Sequence, residues 1–244
     1  MNEKDTIFKL ILSGINLNIM TNLNLKAFGG LLFLSAVMGL AIFLTAWTID
    51  YWQGWVFLAV FSLSALAITV YLMVADPHLL ERRVQAGPAA EKEFRQKIIQ
   101  SLSSFSFFSL IVLPVADHRF GWSVVSVYIS VAGDALVATG FYLVYRVFKE
   151  NTFTSSVIEV MKDQKVIATG PYAVVRHPMY SGALVLLSGV SPALGSWWGL
   201  SPIIPFILIL AWRLIDEEKF LESHLKGYTE YEKKVKYRLL PLIW

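Results

Sequence analysis

The chain has 244 residues, 56% of them apolar and only 16% charged, with a net charge of +3. Soluble domains carry about a quarter charged residues, so this composition excludes a disordered chain, a collagen-like chain and an ordinary soluble enzyme. There is no cysteine, which removes disulfides, thiolate metal sites and cysteine nucleophiles.

Residues 7–20 are apolar but interrupted by Lys9, Asn16 and Asn18, and they lack a small-residue cleavage site. They read as an interfacial helix rather than a signal peptide. Uncharged runs follow at Ala27–Trp47, Tyr51–Ala75, Ile98–Ala116 and Phe120–Tyr145, the last broken only by Asp134. Each approaches the roughly 20 apolar residues a spanning helix needs. Gly133 and Ala135 beside Asp134 suggest close helix packing, with the carboxylate expected in a structural hydrogen bond. The 76–100 loop mixes both charge signs and reads as a solvated, partly helical connector.

The run from Pro178 to Trp212 has no charge at all. As one helix it would be roughly 52 Å long against a hydrocarbon core of about 30 Å. It must fold back, and Gly195-Ser196 and Ser201-Pro202 supply the break. Two short spans are expected, about 179–195 and 202–215. The fold class is therefore an all-α polytopic transmembrane bundle of about six spans ending in a helical hairpin. One integral membrane domain covers 1–244, with N-terminal spans over 1–145 and a functional half over 146–244.

Of the 21 basic residues, all but Arg119 fall in the N-terminal segment, the 76–100 and 146–176 loops and the segment after Trp212. The positive-inside rule then places these segments, and both termini, in the cytoplasm.

His78, His118, His177 and His224 show no metal-ligand spacing, so no metal is expected. No glycine-rich nucleotide loop and no G-x-S-x-G occurs. One region looks like a site. It holds Asn151-Thr152-Phe153, then Gln164-Lys165-Val166-Ile167, then Gly170-Pro171-Tyr172, then Arg176-His177-Pro178-Met179-Tyr180. Pro178 suits the first turn of a helix. Arg176 and His177 then sit at a helix N-terminus, which attracts anions. They could dock a carboxylate-bearing ligand or anchor the helix among headgroups, and both readings stand at this point.

A second cluster, Arg213 to Glu218, closes the last span. Arg213 and Glu217 are i,i+4 and share a face; Glu218 turns away by about 100°. An arginine inside an apolar stretch is a functional hypothesis, whereas Asp216 and Glu218 read first as stop-transfer and salt-bridge charges. Tyr228 to Val235 reads as an amphipathic helix whose lysines can face acidic lipid.

The order Gly170-Pro171-Tyr172, Arg176-His177-Pro178-x-Tyr180, Glu217-Glu218 and Tyr228-x-x-Tyr231 resembles the isoprenylcysteine carboxyl methyltransferase family over about 151–241. That family consists of integral membrane enzymes using S-adenosylmethionine, and phospholipid N-methyltransferases are its relatives. The resemblance implies a cytoplasmic cofactor-binding segment. Strand-like Gln164, Lys165, Val166 and Ile167, with Tyr172, Arg176, His177, Pro178, Met179, Tyr180, Glu217 and Glu218, would hold S-adenosylmethionine or its product S-adenosylhomocysteine. Arg213 and Glu217 would be catalytic. Arg213, held by Glu217, would align a lipophilic or prenylated carboxylate entering from the bilayer.

The implied partners are that substrate and membrane lipids, with no nucleic acid. The alternatives are a methyltransferase for phospholipids or other small nucleophiles, with Glu217 or Glu218 as base, an NADPH-dependent membrane reductase, and a non-enzymatic membrane protein.

The topology is directly testable. Cysteines replacing Ala90, Val160 and Glu230 are expected to react with an impermeant thiol reagent from the same membrane side. Labelling of positions 160 and 230 from opposite sides would overturn the hairpin.

Overall fold

The structure is a computed structural model that describes residues 3–84 and 86–244, with side chains from Thr21 onward. The interfacial reading of 7–20 concerns side chains outside those described. Among the described residues eight α-helices follow in chain order: α1 (Glu3–Ala46), α2 (Trp52–Ala75), α3 (Pro77–Val84), α4 (Phe94–Phe120), α5 (Val127–Glu150), α6 (Pro178–Ala193), α7 (Ile203–His224) and α8 (Tyr228–Lys234). No strand occurs among the described residues, so the strand-like Gln164–Ile167 is irregular chain.

Among the described residues, five stretches are long and apolar enough to cross a membrane: Thr21–Ala46, Trp52–Ala75, Phe94–Phe120, Val127–Glu150 and Trp198–His224. The protein is a multi-pass integral membrane protein. The sixth expected span is α6, which has only 16 residues and is about 24 Å long.

The fold-back of the 178–212 run lies where the glycine and proline signals put it. Gly195 takes a positive φ of 73°, a short 3-10 turn covers Trp198–Leu200, and α7 begins after Pro202. Neighbouring loops brace this turn. Tyr51 Oη donates to Leu194 O at 2.5 Å, and Ser196 Oγ donates to the buried Asp117 carboxylate at 2.5 Å. Trp47, Trp52, Trp55, Trp122, Trp197 and Trp198 are all exposed at this end of the bundle, as expected of an aromatic belt at a membrane interface.

α5 and α6 are the most closely packed helices. A Cβ built on Gly140 would lie 2.5 Å from Leu186 N, and one on Gly189 would lie 2.5 Å from Gly133 O. Where lipid surrounds a bundle, small residues permit such backbone contact, and van der Waals packing holds the pair. The main core adjoins this pair, with Met38, Ile42, Phe57, Leu110, Val137 and Val190 buried together. Gly133 confirms the close packing expected around Asp134, but the expected hydrogen bond is not formed. Both Asp134 carboxylate oxygens are buried without a partner.

The glycine contacts carry a stability prediction. Gly140→Leu is expected to destabilise the bundle by at least about 1–3 kcal/mol through overpacking. Gly30→Leu, with nothing within 4 Å of its Cβ, should leave stability nearly unchanged. Thermal unfolding of both variants in one detergent checks the contrast.

Candidate active site

At the end of the bundle opposite the tryptophans, α3, α4, α6, α7, α8 and the chain between α5 and α6 enclose a cavity of about 420 Å³. Small-molecule sites fall in the range of about 300–1,000 Å³. Gln164, Lys165, Val166, Ile167, Tyr172, Arg176, His177, Pro178, Met179, Tyr180, Arg213 and Glu217 all line it. The residues singled out in two distant stretches of sequence therefore converge on one space, with Glu218 the exception.

Local structure explains the convergence. Pro178 is the first residue of α6, and His177 is its N-cap. This puts Met179 and Tyr180 in the first turn and Arg176 at its mouth. α7 does not stop where the apolar run stops. It continues to His224, so Phe206, Leu210, Arg213, Glu217 and Leu221 form one helical stripe facing the cavity. That stripe is apolar at Phe206 and Leu210, charged at Arg213 and Glu217, and apolar again at Leu221. The stripe faces Tyr180, whose Oη donates to Glu217 Oε2 at 2.5 Å.

Glu218 lies on the other face of α7, behind the cavity wall. It is buried and binds three cationic or ionisable groups: Arg176 Nη1 at 3.2 Å, His177 Nε2 at 3.2 Å and Arg238 Nε at 2.8 Å. Arg176 also pairs with Glu232. The backbone reinforces this cluster, because Arg176 N donates to Tyr237 O and His177 N to Arg238 O. Glu218 thus fixes the 235–239 segment against the start of α6. α8 presses Tyr228, Tyr231 and Val235 into a small core with Leu225, beside Val160 and Val166. Tyr231 Oη donates to Tyr172 O at 2.8 Å, and Asn151 Nδ2 to Tyr172 Oη at 3.0 Å. Burial pushes the Tyr172, Tyr228 and Tyr231 phenols well above their ordinary range, so they stay protonated donors at neutral pH.

Arg213 is placed differently from expectation. Glu217 does not hold it. Its Nη2 donates to Glu91 Oε1 at 2.8 Å and to Ser156 O at 3.1 Å, its Nη1 to Gln96 Oε1 at 3.2 Å, and its Nε to Tyr180 Oη at 3.2 Å. Glu217 is engaged by Tyr180, and a buried carboxylate from the stretch before α4 takes the guanidinium. The 76–100 loop is accordingly more than a solvated connector. Glu91 and Gln96 are buried, Gln96 also reaches Asp216, and Arg83 lines the cavity while donating to Ser155 O at 3.1 Å. One signal could have drawn attention to this loop. Gly87-Pro88 repeats the turn chemistry of Gly170-Pro171, and Gly87 has a φ of 93°. Asp216 makes the expected salt bridge, with Arg95 Nε at 3.0 Å.

Three polar atoms on cavity-lining residues are buried without partners: Tyr228 Oη, Arg176 Nε and Ser156 Oγ. Buried polar groups are nearly always hydrogen-bonded, so these atoms suit a ligand bearing several polar groups. S-adenosylmethionine, with its amino-acid end, ribose and base, is of that kind.

Comparison with known proteins bears on the same walls. Residues 128–227 match the phospholipid methyltransferase family. The matched stretch runs from the first turn of α5 to the glycine before α8, and so covers most of the cavity but not Arg83, Gln100, Tyr228 or Tyr231, nor the Glu91 and Gln96 that hold Arg213. A mouse (Mus musculus) Delta(14)-sterol reductase is 27% identical over 110 residues, which cover 40% of this chain. The chain spans about a quarter of the length of that relative, 25% by alignment.

Burial separates two kinds of charge here. Glu218→Ala removes the acceptor shared by buried Arg176 and His177 and by the partly exposed Arg238, and is expected to cost about 3–5 kcal/mol. Arg95→Ala removes an exposed partner of Asp216 and should cost under about 1 kcal/mol. Chemical or thermal unfolding in detergent reads both.

Proposed function

We propose that the protein is a membrane-embedded, S-adenosylmethionine-dependent methyltransferase whose acceptor is a lipophilic carboxylate, and that its basic loops and both termini are cytoplasmic. The observation that carries the reading is the cavity itself. It joins the residues of the Arg176–Tyr180 and Gln164–Ile167 stretches to Arg213, beneath an apolar wall of Ala183, Phe206 and Leu210. The match of residues 128–227 to a methyltransferase family supports it.

The residues fit a division of labour. Gln164–Ile167, Tyr172, Arg176 and His177–Tyr180 would hold the cofactor, with Tyr228 and Ser156 as further polar contacts. The cofactor supplies a methyl group on a sulfonium sulfur. Transfer forms a carbon–oxygen bond at the acceptor and breaks the carbon–sulfur bond, whose electron pair stays on sulfur. A carboxylate is already ionised at neutral pH, so no protein group need take a proton. The chain's task is to align the reactants and exclude water. Arg213 would orient the carboxylate by its planar fork. Tyr180, bonded to both Arg213 and Glu217, would keep the two in register. The apolar wall would receive the lipid portion.

Two other readings have particular support. An amine acceptor of the phospholipid type is favoured by the family match. It would need a base, and Glu217 lines the cavity whereas Glu218 is saturated by its own partners. A reductase using NADPH is favoured by the likeness to the sterol reductase.

The deciding experiment compares ligands on purified protein. S-adenosylhomocysteine is expected to bind and NADPH not to; the reverse would overturn the proposal. Arg213→Lys and Arg213→Ala are both expected to lose about 2–4 kcal/mol of transition-state stabilisation, roughly 30- to 1000-fold in transfer to a prenylated cysteine. Their affinity for S-adenosylhomocysteine should change much less. Full transfer by Arg213→Ala would favour an acceptor without a carboxylate.

A further inference from the structure

Arg213 is the group proposed to meet the acceptor, yet four of its five N–H donors are already used, both of those on Nη2 among them. Three of its four hydrogen-bond acceptors are neutral: Tyr180 Oη, Gln96 Oε1 and Ser156 O. Only Glu91 is an anion, at 2.8 Å from Nη2, and both partners of this pair are buried. Glu91 follows the short 3-10 turn Pro88–Ala90. Among the described residues from Ala86 to Glu93, its pair with Arg213 is the one hydrogen bond or ion pair that reaches beyond α3 and α4. Nothing else polar ties this stretch to the cavity wall.

The charges decide what can enter. The Glu91–Arg213 pair is neutral as a unit. A carboxylate brought beside it would find Arg213 already balanced by Glu91, so its charge would have to be met by another cation of the wall such as Arg83 or Lys165. It would also meet Glu91 at close range, where like charges in a low dielectric repel strongly. An anionic acceptor can therefore take the Arg213 fork through two parallel hydrogen bonds only by displacing Glu91 from Nη2, because either face of the fork uses that nitrogen.

We infer that Glu91 is a specificity-determining residue, an internal carboxylate that competes with the acceptor's own for the Arg213 fork. This rests on the methyltransferase reading above. Glu91 then sets a threshold. An acceptor succeeds when its lipid portion, buried against Phe206 and Leu210, adds enough affinity to win the exchange. A free small carboxylate fails. Glu91 acts through Arg213 and touches no reacting atom, so it is a positioning residue in the reaction itself.

The test needs binding as well as turnover. The full chain in lipid nanodiscs, without methyl donor, is titrated with an N-acetylated prenylcysteine and, separately, with its methyl ester. Glu91→Gln, which removes the competing charge, is expected to bind the carboxylate about tenfold more tightly, the scale of one charge-assisted hydrogen bond. Its KM for that acceptor should fall similarly, while affinities for the ester and for S-adenosylhomocysteine stay as in the wild type. Glu91→Asp keeps the charge but reaches less far, and a gain of about threefold is expected.

Unchanged or weakened carboxylate binding in Glu91→Gln, with S-adenosylhomocysteine still bound, overturns the inference and leaves Glu91 as a mere support for Arg213. If Glu91→Gln does not fold, Glu91→Asp decides alone, and no gain there overturns it. Should all three proteins bind S-adenosylhomocysteine yet neither bind nor methylate the carboxylate, the carboxylate-acceptor reading fails and Glu91 has nothing to compete with. Failure of the wild type to bind S-adenosylhomocysteine fails the methyltransferase reading itself.

Discussion

A guanidinium cannot be left bare at the end of an apolar helix. Arg213 is buried one turn below a wall of leucine and phenylalanine, and removing its charge from water carries a penalty that only well-placed partners offset. Much of the architecture at this end supplies them. α6 brings Tyr180, the chain after α5 brings the Ser156 carbonyl, and the stretch before α4 brings Glu91 and Gln96. Elements far apart in the sequence are thus joined through one side chain. The cavity exists because these elements meet around Arg213 rather than collapse onto each other.

Glu218, on the opposite face of α7, works by the same physics with reversed sign. It is a buried anion satisfied by Arg176, His177 and Arg238. The two charges lie five positions apart on α7, so one faces the cavity and the other faces away from it. Arg213 organises the walls nearer the apolar core, whereas Glu218 fastens the segment after α8 to the N-terminus of α6. Neither role depends on the surface charges, which water and salt screen.

What is legible in the sequence follows from the range of the forces involved. The spans and the hairpin are local properties, set by run length, Gly195 and Pro202. The helix start at Pro178 is local too. The Phe206–Leu221 stripe is partly legible, because Arg213 and Glu217 share a face in any helix. Its length was hidden: the apolar run ends at Trp212, while α7 continues to His224 on tertiary contacts. Partner choice was not legible. An i,i+4 spacing permits an Arg213–Glu217 pair but does not require it, and the structure uses Glu91 instead, 122 positions away. In the sequence, Glu91 is one carboxylate among several in a mixed-charge loop. Asp134 shows the converse. Its flanking small residues correctly signal close packing, yet they say nothing about a hydrogen-bond partner, and none is there.

The family match ends the same way the sequence signal does. Residues 128–227 carry α5, α6, α7 and the chain between them, and these make a self-consistent half of the cavity. The stretch from α3 into α4 lies outside the match; its Arg83 and Gln100 line the cavity, and its Glu91 and Gln96 hold Arg213. If the proposed reading holds, a site divided in this way could keep one wall fixed while the residues that meet the acceptor vary. Under the proposed reading a cofactor would ask for fixed polar geometry, which the α6 N-terminus, the Tyr172–Tyr231 contact and the Glu218 cluster would supply, with Tyr231 and Arg238 coming from beyond the match. The acceptor side asks only that the charge on Arg213 be balanced, and a single loop residue does that. Chemistry shared across methyltransferases would then reside in the matched half, and selectivity for the acceptor in the half that carries Glu91.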